Sequence, residues 1–162
     1  LWMVATNPKS NSDAKHLKYH FVMGLENAWQ ALCIHVNVGS DISQDLPWMV
    51  DVVRFYDSFY KLQNRKISGT DLNKQRKLVL YPCSGLELTG NATNPIETVA
   101  ALHAVTDGLL KLTGLSHKDR NYLTTVMTEL PELPETTKDG KTILALADKW
   151  EALYNGWELP EL

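Results

Sequence analysis

Apolar side chains recur every three or four residues along the first part of the chain. The apolar positions Leu17, Phe21, Leu25, Ala28, Trp29, Leu32 and Val36 follow this spacing. They predict a helix from about Asp13 to Val38, which Gly39 ends. After a short polar turn, a second helix is predicted from about Leu46 to Gln63, with Pro47 in its first turn. Two helices joined by such a turn form an αα-hairpin.

A second pair of helices is predicted further along the chain. The third helix begins with Asn94 as its N-cap, Pro95 as its first residue and Glu97 three positions after the cap. Its apolar positions again follow helical spacing, and Gly114 is expected to close it.

The fourth helix is predicted from its cap. Ser116 is a favourable N-cap, and Asp119 lies three residues after it. The helix is expected to run to about Leu130, just before Pro131, which disfavours its continuation. The third and fourth helices therefore form a second hairpin.

Extended structure is expected in the last part of the chain. Asp139-Gly140 is typical of a tight turn between two short extended pieces. The apolar run 143–146 is compatible with strand or helix, and the segment 147–154 with helix or irregular structure. The fold class is thus mainly α, with two or more antiparallel helical hairpins and a short β-containing loop region. Helical hairpins with long loops between them suit an α/α toroid.

A glutamate between the two hairpins is a candidate for chemistry. Residues 64–77 are polar and are expected to form a loop, and K-L-V-L-Y at 77–81 is strand-like. Pro82 ends this run, and the next residues predict a loop that carries Glu87. The helix start at Pro95 closes that loop, so Glu87 is expected on a loop with ordered structure at both ends. The alternative is a solvated glutamate with no role.

Composition narrows the class of protein. An apolar fraction of 44% with five Trp and six Tyr is typical of a folded domain with a core. A formal net charge of −3 with scattered Lys and Arg argues against a nucleic-acid partner. No run approaches the ~18 apolar residues of a membrane span. Cys33 and Cys83 form neither a disulfide framework nor a metal-binding spacing, and we expect no metal and no cofactor.

Both ends of the chain look cut. Leu1 is not a methionine, no signal peptide follows it, and the sequence stops at Leu162 without a terminating signal. We therefore expect residues 1–162 to be a piece of a longer protein. The sequence does not identify the compartment, and a secreted or extracytoplasmic location for the parent protein stays open.

Several motifs together resemble a known family. In order, they are H-x-x-x-G-x-E at His20 to Glu26, G-S-D-I-S-x-x-L-P-x-M, V-R-F-Y-D-x-F-Y, K-L-V-L-Y-P and E-x-x-x-x-A-T-N-P. This order is similar to that of the six-hairpin glycosidases, and especially to glycoside-hydrolase-like proteins allied to the α-L-fucosidases of glycoside hydrolase family 95. The closing N-G-W-E-L-P-E-L also resembles that group's N-x-E-x-P-E-L. The resemblance extends from about His16 to Leu162.

The resemblance implies a fold, a reaction and a set of site residues. The fold is part of an (α/α)6 toroid, and the remaining hairpins of the parent toroid complete it. The reaction is hydrolysis of an O-glycosidic bond in a carbohydrate substrate, inverting and α-L-fucosidase-like or related. Glu87 takes the place of the general acid, Ser84 lies on its approach, and Tyr81, Trp157 and Glu158 are candidates for substrate binding. The water-activating base is implied to lie outside this chain, so these residues alone are expected to be inactive.

One departure from the family keeps a second hypothesis open. The related group shows Thr-Tyr-Lys after the glutamate, whereas this chain has Leu88-Thr89-Gly90. The alternative function is a non-catalytic α/α scaffold that binds carbohydrate or protein. For Tyr81 and Trp157, the alternative to substrate binding is ordinary packing. For Glu158, it is a surface carboxylate without a role.

His20 and Glu26 are candidates to line the mouth of the toroid. The alternative is that they form a satisfied polar contact.

Overall fold

The computed structural model describes residues 22–83 and 89–152. Within these ranges the chain forms two compact units. A helical unit comprises residues 22–79 and 98–132, and a strand unit comprises residues 80–83, 89–97 and 133–152. None of the helices in these ranges combines the length and apolar character that a membrane crossing requires. The mainly helical class predicted from the sequence is confirmed.

The first predicted hairpin is present in the helical unit. Helix α1 spans Met23–Val38 and helix α2 spans Leu46–Ser68. Gly39 ends α1 in the left-handed conformation, with φ of 72°, and its N–H donates to a carbonyl in the last turn. Helix α2 continues past its predicted end at residue 63, because no glycine or proline interrupts it before Gly69, which has φ of 79°. The part of the first predicted helix before residue 22 lies outside the described residues.

Both helices of the second predicted pair are present, and the structure confirms the predicted cap of the fourth helix. Helix α3 spans Ile96–Lys111 and helix α4 spans His117–Glu129. Ser116 accepts a hydrogen bond from the Asp119 backbone N–H at 3.0 Å and donates to the Asp119 carboxylate at 2.7 Å. This confirms the predicted cap. Arg120 of α4 donates to the carbonyls of Leu110 and Leu112, so a cation satisfies acceptors at the carboxyl end of α3.

Apolar faces of all four helices form the core of the helical unit. Helix α2 packs against both α1 and α4. Helices α1 and α3 meet where Gly108 lies against Leu32. The largest fully buried side chains of this unit are Leu25, Met49, Val53, Tyr56, Tyr60, Leu78, Val99, Leu102, Leu109, Leu123 and Leu130. Trp29 and Val36 belong to the apolar positions that predict α1, but they are 45% and 76% exposed, because only Leu25, Ala28 and Leu32 form its buried stripe.

Four short strands lie in the strand unit. Strands β1 (Thr89–Thr93) and β4 (Lys149–Ala152) pair antiparallel, and so do β2 (Glu135–Lys138) and β3 (Lys141–Leu144). Asp139 and Gly140 connect β2 to β3 with φ of 51° and 73°, which confirms the predicted tight turn. The expectation of helix or irregular structure at 147–154 is wrong at residues 149–152, where pairing with β1 selects the extended form.

The strand-like run 77–81 is extended but lies outside both sheets. Its backbone groups bond elsewhere. The Leu78 N–H donates to the carbonyl of Glu129 at 2.6 Å in the helical unit, and the Leu80 N–H donates to the side chain of Asn94 at 2.8 Å in the strand unit. The β-prone composition therefore reflects burial of Leu78 and Leu80, not pairing in a sheet.

We predict that Gly108→Ala destabilises the protein by about 1 kcal/mol. A Cβ at Gly108 would lie 2.7 Å from Leu32 Cδ1, a side chain that is itself buried. Overpacking of this kind costs roughly 1–3 kcal/mol, which exceeds the roughly 1 kcal/mol that alanine gains over glycine in a helix. Urea unfolding monitored by circular dichroism measures the difference.

Gly24→Ala is the matched control for this prediction. A Cβ there meets Val52 at an ordinary 3.4 Å, so we expect no loss of stability and a gain of at most about 1 kcal/mol. Equal stability changes for the two variants would contradict the close approach of α1 and α3.

Candidate functional site

Of the five residues implied by the resemblance, one lies in the described ranges. Tyr81 is partly buried, and the peptide bond between Tyr81 and Pro82 is cis. Ser84 and Glu87, together with Trp157 and Glu158, lie outside the described residues. Glu26 of α1 is exposed on the helical unit, and His20 again lies outside the described part. The structure therefore describes the residues before and after the segment that carries Glu87.

The residues that flank segment 84–88 are fixed to one another. The Cys83 N–H donates to the Ala92 carbonyl at 3.0 Å, and the Ala92 N–H donates to the Cys83 carbonyl at 2.7 Å. Both residues are buried, with 1% and 0% of their surface exposed. Beyond this bridge, β1 pairs with β4 and connects the flank to a distant part of the chain. Backbone bonds of this kind in a buried position resist opening, since each broken bond leaves a polar group without a partner.

Asn94 is the residue at which the flanking segments meet. Its side-chain oxygen accepts from the Leu80 N–H at 2.8 Å, and its own N–H donates to the Leu80 carbonyl at 3.1 Å. Its side-chain nitrogen donates to the Asp148 carboxylate at 2.7 Å. Asn94 is buried and has φ of 51°, a conformation that asparagine tolerates better than most residues.

This arrangement corrects the predicted start of α3. Asn94 was expected as the N-cap with Pro95 as the first helical residue, whereas the helix begins at Ile96. The side chain of Asn94 bonds to Leu80 and Asp148, and the Ile96 N–H donates to the carbonyl of Leu146 at 2.9 Å. A neighbouring segment thus provides the hydrogen-bond acceptor for the first N–H group of α3, which a local cap would otherwise supply.

Sequence reasoning did not identify Asp148 as part of this framework. Asp148 and Asn94 are 54 positions apart, and Asp148 follows an apolar run without a recognisable motif. The Asp148 N–H also donates to the Thr93 carbonyl at 3.0 Å, next to the start of β4. Tertiary pairing of β1 with β4 brings the two residues together, so no local signal could have revealed them.

A cluster of charged side chains lies between α2 and α4 in the helical unit. Lys61 Nζ lies 2.8 Å from the Asp57 carboxylate and 2.6 Å from the Glu129 carboxylate. The exposed fractions of these side chains are 21%, 8% and 16%, so all three are largely removed from water. Tyr122 donates its hydroxyl to the second oxygen of Asp57 at 3.0 Å. One cation therefore joins two carboxylates across two helices.

Arg54 extends this cluster toward the surface. Its guanidinium lies 5.0 Å from the centre of the Tyr122 ring and 3.1 Å from the Asp119 carboxylate, and it also pairs with Asp51. A shallow concavity of about 440 Å³ on α2 lies beside it, lined by Asp51, Arg54, Phe55, Ser58, Phe59 and Leu62. The lining is mostly apolar, with Phe55 and Phe59 stacked at 5.7 Å between ring centres.

Two groups in the cluster have shifted protonation equilibria. Burial lowers the pKa of Lys61, but hydrogen bonds to Asp57 and Glu129 outweigh this effect and raise the pKa above its usual value. Burial and the neighbouring Asp57 carboxylate raise the pKa of the Tyr122 hydroxyl well above its usual value. Both shifts favour the protonated form that already makes the contacts.

The described residues contain no group of three or more His, Cys, Asp or Glu side chains that could hold a metal ion. Comparison with models of protein families, with curated proteins and with solved structures finds no match in any of the three.

We predict that Lys61→Met destabilises the protein by about 2 kcal/mol. The substitution leaves Asp57 and Glu129 largely buried without their cation, which costs roughly 3–5 kcal/mol at a fully buried site and less at one that water partly reaches. Adding Glu129→Gln to Lys61→Met should recover part of the loss.

Lys66→Met, on an exposed position of the same helix, is the control and should change stability by less than about 0.5 kcal/mol. Chemical denaturation of the three variants decides, and equal stability of Lys61→Met and wild type would refute the role of the cluster.

We also predict a change in alkaline stability for Tyr122→Phe. Because the folded state holds the Tyr122 proton above pH 10 while the unfolded state releases it, this group stabilises the protein fully below about pH 10 and loses that contribution as pH rises. The free energy of unfolding should therefore fall less steeply above pH 10 in Tyr122→Phe, by at most about 1.4 kcal/mol per pH unit. Unfolding curves at pH 9, 10 and 11 measure both slopes, and parallel pH profiles would show that Tyr122 titrates normally.

Proposed function

We propose that this chain is an internal part of a glycoside hydrolase whose catalytic domain is an (α/α)6 toroid, with Glu87 as the general acid. The observation that carries the proposal is the buried bridge between Cys83 and Ala92, which fixes both flanks of segment 84–88. A general acid has to be held at a set position relative to the leaving oxygen, and a rigid framework provides this. The motif resemblance supplies the identity of the reaction.

The chemistry assigns distinct roles to the residues. Glu87 protonates the oxygen of the departing group, while a second carboxylate on another hairpin activates water from the opposite face of the sugar. In an inverting enzyme the two carboxyl groups lie roughly 6.5–9.5 Å apart, which leaves room for the water. Tyr81 and Trp157 provide aromatic faces for the sugar, and Ser84 and Glu158 provide polar contacts. Partial burial of Glu87 among such side chains would keep it protonated near neutral pH.

Helical packing supports the toroid as the setting of this site. The described residues supply two hairpins, and apolar side chains remain on the outer side of α1, where Trp29, Ile34 and Val38 are about half or more exposed. In a toroid each hairpin buries such a face against its neighbours. The remaining hairpins of the parent protein would cover them.

A non-catalytic scaffold is the second candidate, and one observation favours it. The charged side chains between α2 and α4 are paired with each other, from Arg54 and Asp119 to Lys61, Asp57 and Glu129. Such a cluster accounts for these charges by their contact across α2 and α4 alone. A helical framework that binds carbohydrate or protein through its loops would need no more than this.

We predict that Glu87→Gln lowers kcat by at least about 100-fold in the protein that contains this chain, since general acid catalysis contributes roughly 10²–10⁴-fold. The amide keeps the size of the side chain and removes its proton-donating ability. Hydrolysis of aryl α-L-fucosides and aryl α-galactosides measures the effect. Glu135→Gln, on an exposed position of β2, is the matched control and should leave kcat unchanged.

Two results would overturn the proposal in different ways. Equal rates for wild type and Glu87→Gln would remove Glu87 from the mechanism while leaving a hydrolase. If the protein hydrolyses no sugar but binds an immobilised glycan or protein, its function is that of a non-catalytic scaffold.

A further inference from the structure

We propose that Asn94 and Asp148 are a positioning pair, whose hydrogen bond sets the relative placement of the two flanks of segment 84–88. The inference rests on the proposed function for its catalytic consequence, because the segment carries Glu87. Neither residue contacts substrate in this proposal. Both bond to the backbone, Asn94 to Leu80 and Asp148 to Thr93, and act through the flanking segments 80–83 and 89–93 that contain these residues.

Three chain segments converge at this pair. The amide of Asn94 accepts from Leu80 on one side and donates to Asp148 on the other, at 2.8 and 2.7 Å. The backbone of Asp148 in turn donates to Thr93 in β1. A single buried side chain therefore connects the segment before residue 84, the strand after residue 88 and the start of β4.

The chemistry of both side chains suits this role. An amide supplies one acceptor and two donors, so Asn94 can satisfy a backbone N–H and a carboxylate at once. Its donation to Asp148 is assisted by charge, which makes the bond shorter and stronger than a neutral one. Glycine would match the φ of 51° but would lose both side-chain bonds, and alanine would lose the bonds and also be strained.

Displacement of the flanks would affect one step of the reaction more than the others. A misplacement of about 1 Å can reduce a rate by roughly 10²-fold, because proton transfer depends steeply on geometry. The proton from Glu87 is needed when the leaving group is a poor one, and is not needed when the leaving group is an acidic phenol. Substrates that differ only in their leaving group therefore separate positioning of the acid from general loss of structure.

The test exchanges the two side chains. Asn94→Asp keeps the acceptor for Leu80 but replaces the donor to the exposed Asp148 carboxylate with a second carboxylate, so this hydrogen bond is lost and the flanks should separate. Asp148→Asn should have a small effect, because a neutral acceptor remains. In the double variant Asn94→Asp/Asp148→Asn the hydrogen bond can form again, with position 148 as the donor and position 94 as the acceptor. Glu135→Gln, on the exposed face of β2, is the control.

In the protein that contains this chain, we expect Asn94→Asp to lower kcat about 100-fold on an alkyl glycoside and less than about threefold on a dinitrophenyl glycoside. The double variant should return to within about threefold of wild type on both substrates. Equal losses on the two substrates, or failure of the double variant to recover, would overturn the proposal. If Asn94→Asp does not fold, Asp148→Ala removes only the carboxylate and should show the same leaving-group dependence to a smaller degree.

A second measurement separates this proposal from the proposed function. Cys83 is buried at the bridge, so the rate at which a thiol reagent modifies it reports opening of the flanks. In a Cys33→Ser background, Asn94→Asp should increase the modification rate at least about tenfold, and the double variant should reverse this. If the wild type hydrolyses no glycoside, the proposed function fails. The thiol measurement still tests whether the hydrogen bond between Asn94 and Asp148 holds the two flanks together. An unchanged modification rate in Asn94→Asp would overturn the pairing itself.

Discussion

The side of α2 that carries Met49, Val53, Tyr56 and Tyr60 is removed from water over about three turns, and the helical unit is organised around this burial. A buried side chain with a charge needs a partner within the protein. Asp57 lies on the same side and obtains two partners, Lys61 from its own helix and Tyr122 from α4. The position of α4 is thus fixed by apolar contact and by the requirement to satisfy one carboxylate.

In the strand unit, the buried polar groups that need partners are backbone groups and the side chain of Asn94. Leu80, Cys83 and Ala92 are buried, and their backbone groups bond either to one another or to Asn94. Leu80 and Asn94 are 14 positions apart, and Asn94 also bonds to Asp148, which lies 54 positions away. Order in this unit therefore depends on tertiary contacts more than on the intrinsic preference of its short strands.

Local signals in the sequence predicted the elements that depend on local contacts. Gly39 ends α1, Ser116 and Asp119 begin α4, and Asp139 turns the chain between β2 and β3, each as expected. The exceptions depend on distant residues. Residues 149–152 form a strand because they pair with β1. The side chain of Asn94 does not cap α3 and instead bonds to residues 14 and 54 positions away. For the candidate site, sequence predicted an ordered structure at both ends of the Glu87 segment but not the residues that provide it.

The bridge between Cys83 and Ala92 has a consequence for divergence among related chains. Since the closure is made by backbone atoms, it places little demand on the identity of the residues enclosed between them. Length and chemistry in that interval can change during evolution while the supporting framework is kept. The same framework can in this way present different side chains in that interval without any change in the strands that support it.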